Sequence, residues 1–261
     1  MSYPNVIYGD YGDEKVAQST KIGNLPLGQL MVLPDGRKFR HAQASATALV
    51  AGDLYQQNSL TVVAGSADAN MINNLAASAM AVGATEVKVT LGGTAAVSKD
   101  LFADGFMFVA ESAGQGITYK IKACNSAAAG STLTITLQES DPIAVAVAAS
   151  SSKIGLRQNS YHNITLVTAD TVSVGALAGI APVAASASFY CWLQRSGEVC
   201  GLADATLVVG NAVGASSILA GAVGNVSAAG TGSWKALTAI GHCMNVASAS
   251  TKYGQINLML E

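Results

Sequence analysis

The side chains whose types could do chemistry are few and dispersed. Three histidines, His41, His162 and His242, stand far apart, and none belongs to an HExxH motif or accompanies a GxSxG elbow. Cys191, Cys200, His242 and Cys243 are of types that suit zinc. Adjacent His and Cys cannot easily both ligate one tetrahedral ion, however, and the paired short spacings of structural zinc sites are missing. These cysteines and Cys124 are therefore expected as reduced, packed thiols, with Cys191 and Cys200 the one pair placed to face each other across a hairpin. Gly92-Gly93-Thr94 and Gly114-Gln115-Gly116 continue into neither GxxxxGK[ST] nor a helix-opening GxGxxG, so they predict turns rather than phosphate cradles. The carboxylate pairs Glu139/Asp141 and Asp100/Asp104 would serve acid–base chemistry only if burial split their pKa values, and both flank loop-like residues such as Asp141-Pro142. No catalytic residue, metal ligand or cofactor site is predicted.

The elements around these residues follow from composition and period. The chain has 261 residues, half of them apolar, only 11% charged, with 46 Ala and 27 Gly and a net charge of −2, which excludes a disordered, charge-solvated protein. Its 14 Lys and Arg are scattered, so no phosphate-neutralising stripe marks a nucleic-acid partner. The N-terminus lacks the basic and apolar regions of a secretory signal. The uncharged stretches 171–194 and 205–234 carry too much Gly, Ser and Asn for membrane spans, and no membrane partner is expected. A surface of Ala, Gly, Ser and Thr desolvates at little cost, which suits extensive burial against other subunits.

Along the chain, residues 1–25 predict an extended arm, with Asp10, Asp13 and Glu14 as candidate interface residues. Leu30–Leu33, the turn Pro34-Asp35-Gly36 and the following run predict a hairpin, because Pro presets the first corner and Gly accepts positive φ. Arg37, Phe39 and Arg40 on this hairpin are candidate contacts to a partner, Phe39 having core burial as its alternative. Met71, Ile72, Leu75 and Met80 predict a helix over 68–83. Strict alternation from Glu86 to Leu91 and from Ile117 to Lys122, with runs at 105–109, 131–137, 143–147 and 153–156, predicts strands. Further strands are expected at 164–167, 188–194, 205–209, 221–226 and 255–260. Phe189, Tyr190 and Trp192 are candidate core aromatics. The predicted fold is mainly β: antiparallel barrel or sandwich units, an N-terminal arm, and at most one or two short helices. The expected domains are the arm (1–25), a discontinuous β domain (26–83 and 158–261) and a barrel or sandwich (84–157).

The segments 33–40, 48–56, 114–122, 134–137, 159–164 and 190–194 with Gly197 occur in an order that resembles the head decoration, or capsid cement, proteins of tailed bacteriophages. The resemblance spans about residues 26–261. The family pattern has a small residue where Cys191 stands, and Cys243 and Met244 match nothing in it. The resemblance implies a non-enzymatic virion protein, assembled in the host cytoplasm. It would sit as a homotrimer on the capsid exterior and clamp the major capsid protein, and no catalytic residue is carried over. The alternative expectation is a tail- or fibre-associated protein binding host glycan through Tyr161, Tyr190 and Trp192. A virion hydrolase would instead need convergent carboxylates, Glu139 and Asp141 being its best candidates.

Overall fold

The computed structural model describes residues 6–58, 75–92, 96–169, 175–226, 239–246 and 249–261. The chain forms two compact units, one made of Met1–Asn58 with Ser160–Glu261, the other of Ser59–Asn159. It is mainly β, and the only helical elements among the described residues are two three-residue 3-10 turns, Asp13–Lys15 and Ile22–Asn24.

The second unit is a closed six-stranded barrel. Its strands are β5 (Leu75–Ala77), β6 (Glu86–Thr90), β7 (Phe106–Glu111), β8 (Thr118–Cys124), β9 (Thr132–Leu137) and β10 (Lys153–Arg157), closed in the order β10-β5-β6-β9-β8-β7. Every pairing is antiparallel. Period-two alternation explains the core: Val87 and Val89 turn inward while Glu86, Lys88 and Thr90 face out, and Tyr119, Ile121, Leu133, Ile135 and Leu137 fill the same interior. The helix expected over 68–83 is corrected in its described part. Leu75 and Ala77 are buried on alternate positions of a strand, because the barrel closes only if β5 bridges β10 and β6; residues 68–74 lie outside the described residues. The expected strand at 143–147 is instead a loop: Ile143 and Val147 are buried, and their N–H groups donate to the Ala84 and Met80 carbonyls.

The first unit is an eleven-stranded sheet among the described residues. Its main path comprises β1 (Val6–Tyr8), β2 (Leu30–Val32), β3 (Lys38–Gln43), β13 (Tyr190–Leu202), β17 (Tyr253–Met259), β16 (Gly241–Asn245), β14 (Ala212–Ala215) and β15 (Val223–Asn225), in that spatial order. Beside it, β4 (Leu54–Gln56) pairs with β11 (Thr165–Leu166) and β12 (Leu177–Ile180). The 205–209 strand is also corrected: Leu207 is buried, but Val208 and Val209 face out in a turn toward Asn211.

The N-terminal segment is not a free arm. β1 pairs parallel to β2, Gln18 bridges Tyr190, and Ile7 and Ile22 pack on the cluster of Met31, Leu33, Phe39 and Trp192. The apolar residues of 1–25 are too widely spaced to signal a periodic face, yet Ile7, Ala17, Ile22 and Leu25 pack on the clusters of its own sheet unit. The domain boundaries differ from the expected ones for the same two reasons: 6–25 belongs to the sheet unit, and Leu75–Ala77 belongs to the barrel.

Candidate functional site

The first hairpin turns as its sequence demands. Gly36 takes φ 84° and donates its N–H to the Leu33 carbonyl, while Asp35 accepts from the Arg37 N–H. Three of the hairpin and N-terminal candidates are buried or already paired within the chain. Phe39 has no exposed surface and sits in the core with Trp192, because β3 alternates and places Phe39 and His41 inward. Glu14 is 3% exposed, accepts from the Gly12 N–H at 2.6 Å and faces Arg37 at 3.9 Å. Arg37 is held by Asp35 at 2.7 Å. Burial would raise the Asp35 carboxyl, but the Arg37 hydrogen bonds outweigh it and hold it below its ordinary value. Asp10 and Asp13 remain exposed, Asp13 accepting from the Asp10 N–H.

Arg40 belongs to a cluster that ties strands together. Its guanidinium holds both carboxylate oxygens of Glu261 and donates to the Gly28 carbonyl. Arg195 approaches the same carboxylate at 3.5 Å and donates to the carbonyls of Leu177, Ala178 and Leu260. Burial pushes Glu261 upward, and the hydrogen bond from Arg40 with the two arginine charges overrides it. Arg195→Ala strands three carbonyls, so a loss of about 2 kcal/mol is expected. Arg195→Lys should recover little of it, since an ammonium lacks the planar fork. Urea unfolding midpoints check this, and an unchanged midpoint in the Ala variant rejects the clamp.

The aromatic candidates divide. Trp192 is buried, whereas Phe189 and Tyr190 are half-buried, Phe189 packing against the cluster of Ala44, Leu49 and Leu193. His41 lies fully buried between them, its ring 5.3 Å from Trp192 and 5.7 Å from Tyr190, with Nδ1 at 3.2 Å from the Pro26 carbonyl. A sugar shelf of Tyr161, Tyr190 and Trp192 is therefore not presented: the register that pairs Trp192 with His41 turns the indole inward.

The carboxylate pairs are structural. Glu139 is exposed and bonded to Lys122 at 2.8 Å, which holds its carboxyl below the ordinary value. Asp141 accepts from the Lys120 N–H, and Asp100 from the Cys124 N–H. Asp104 is buried at a positive-φ turn. All four cysteines are free thiols; Cys124, Cys191 and Cys243 are buried, and burial pushes Cys191 up to about 12. Among the described residues no group of three His, Cys, Asp or Glu side chains could hold a metal ion. No described helix is long and apolar enough to cross a membrane.

What the structure assembles instead is a trough on the outer face of β13 and β17. These strands run antiparallel with Glu198 opposite Asn257, Cys200 opposite Gln255 and Leu202 opposite Tyr253. Val199, Ile256 and Leu258 are buried beneath, so Glu198, Tyr253, Gln255 and Asn257 share the solvent face. A cavity of about 630 Å³ lies here, lined by the apolar Val50, Ala51 and Pro182 and by Glu14, Lys15 and Arg37 as well as by the strand residues. A second cavity of about 510 Å³ adjoins it through the shared Arg37, Glu198 and Gln255 and extends to Asp35 and Asn257.

Two glycines shape the trough. Gly197 takes φ +90° just beyond the β13 bulge, which falls between Gln194 and Ser196, and a Cβ there would stand 2.7 Å from the Arg37 stem. Gly52 takes φ +82°, and the Tyr253 ring packs against the place its Cβ would occupy. Buried Gln194 fixes the bulge by donating to the Ser196 and Glu198 carbonyls. Sequence reasoning located the strand from Gln255 but not the trough. The signal was the period-two set Tyr253, Gln255, Asn257, which only a facing Glu198 makes into a site.

No protein-family model matches the chain, and no curated protein or solved structure is detectably similar to it.

Proposed function

We propose that the protein is a non-enzymatic virion component that decorates and stabilises the head of a tailed bacteriophage. In this reading it sits on the capsid exterior as a homotrimer and clamps neighbouring major capsid subunits. The observation that carries the reading is a surface poor in charge but dotted with large apolar side chains. Tyr8, Tyr11, Val208, Val209, Ile218, Met244, Val246 and Met259 are all exposed on the sheet unit of a single chain. With only 11% charged residues across the chain, covering such a surface strips few ions of water. The order of segments 33–40, 48–56, 114–122, 134–137, 159–164 and 190–194, which resembles that of capsid cement proteins, is consistent with the same role. Stabilisation needs no chemistry, because a ligand that binds only the assembled shell shifts the equilibrium toward it.

Light scattering on the purified protein, followed by mixing with undecorated heads of the phage that carries it and imaging the particles, tests this. A stable trimer occupying lattice junctions is the expected result. A monomer that leaves the heads bare overturns the proposal.

A further inference from the structure

We propose that the trough formed by Glu198, Tyr253, Gln255 and Asn257 with Arg37 and Asp35 binds a neutral saccharide chain. The inference goes beyond the capsid role and does not depend on it. It also concerns a different place from the Trp192 cluster, whose indole is turned inward.

Charge balance decides the class of ligand. Asp35 and Glu198 stand against Arg37 and Lys15 along the two cavities, Glu14 being buried and held by the Gly12 N–H. An anionic ligand would meet the Asp35 and Glu198 carboxylates, while the Arg37 Nε is already committed to Asp35 at 2.7 Å. A cationic ligand would meet Arg37 and Lys15. A neutral molecule with many hydroxyls avoids both repulsions, and it needs donors and acceptors set closely side by side.

That is the arrangement present. Gln255 Nε2 donates to Glu198 Oε2 at 2.9 Å, which orients the Gln255 amide and leaves its oxygen available to accept. The Glu198 carboxylate accepts no other hydrogen bond among the described residues. Asn257, directly across from Glu198, offers both ends of its amide. Carboxylate and amide side chains on one strand face can each grip neighbouring hydroxyls of a sugar ring. The apolar wall of Val50, Ala51 and Pro182, with the half-exposed Tyr253 ring, supplies the surface on which the C–H face of a sugar packs. The strand pair makes this a rigid platform, since Val199, Ile256 and Leu258 anchor it from below. Each cavity lies within the range of about 300–1,000 Å³ typical of small-molecule sites.

The test uses fluorescently labelled full-length protein on a microarray of neutral and anionic oligosaccharides. The strongest neutral oligosaccharide is then titrated while the Gln255 and Asn257 side-chain amides and the Gly52 and Gly197 backbone amides are followed by NMR. Spermidine and tripolyphosphate serve as charged comparators. The expected result is saturable shifts at these four residues, with affinity at least tenfold weaker in Asn257→Ala and in Gln255→Ala. Neither side chain is core, so unchanged melting temperatures will show that both variants fold. Absence of any neutral signal above background overturns the proposal, as does binding that survives both substitutions. Tighter occupation of these residues by spermidine or tripolyphosphate than by the sugar overturns it equally.

Discussion

Asp53→Asn should stabilise the protein at pH 7.5 by about 1–3 kcal/mol and leave its stability at pH 3.5 unchanged. Asp53 follows the turn at Gly52 and is 7% exposed, with Oδ1 lacking any hydrogen-bond partner. Burial alone pushes its carboxyl from the ordinary 3.8 to about 6, and no lysine or arginine offsets the effect. The titratable groups around it are Tyr55 on the adjoining strand and Tyr253 across the turn, both neutral at these pH values. Because the folded-state value is raised, the native protein binds the Asp53 proton more tightly than the unfolded chain does. Stability is therefore greatest below about pH 4, falls as pH rises toward about 6, and is level above that as far as this group is concerned. A shift of this size corresponds to about 3 kcal/mol. The substituted amide keeps the shape without the charge, although its own buried donors reduce the gain. Thermal melts of both proteins at the two pH values check it. An equal difference at both would show that shape, not charge, is responsible.

Phe39→Ala should cost about 3–5 kcal/mol of stability, the range for deleting a fully buried aromatic ring. Phe39 lies with Met31, Leu33 and Trp192 in the cluster that also seats Ile7 and Ile22, so the cavity would loosen the N-terminal strand as well. Urea unfolding, with hydrogen exchange at Val6–Tyr8, reads both effects. A contact residue on an exposed strand would instead lose less than about 0.5 kcal/mol when truncated. That smaller outcome would return Phe39 to the surface and contradict the packing described here.

The barrel was the most legible part of the chain. Glu86–Thr90 and Thr118–Cys124 alternate strictly, and the pleat turns that alternation directly into inside and outside. The Pro34-Asp35-Gly36 turn was equally plain, since its chemistry is contained in three residues. The helix expected over 68–83 shows where such signals fail. Met71, Ile72, Leu75 and Met80 fit a helical face, whereas in the strand Leu75 and Ala77 are the buried alternate positions, and pairing with strands distant in sequence decided between them. The short strands β4, β11 and β12 carry too few residues for any period; their identity comes from their partners.

The candidate site divides the same way. Sequence alone determined that the chain is β-rich, poor in charge and without a local catalytic or metal motif, because composition, alternation and turn chemistry are local properties. Only the tertiary structure decided that Glu14 and Phe39 are buried, that Trp192 faces inward, and that Glu198 stands across from Asn257. For Phe39, Trp192, Glu198 and Asn257 those facts depend on strand register between segments from about 50 to about 160 residues apart, and a shift of one residue would send each of these side chains to the opposite face; Glu14 is placed by a 3-10 turn packed on the sheet.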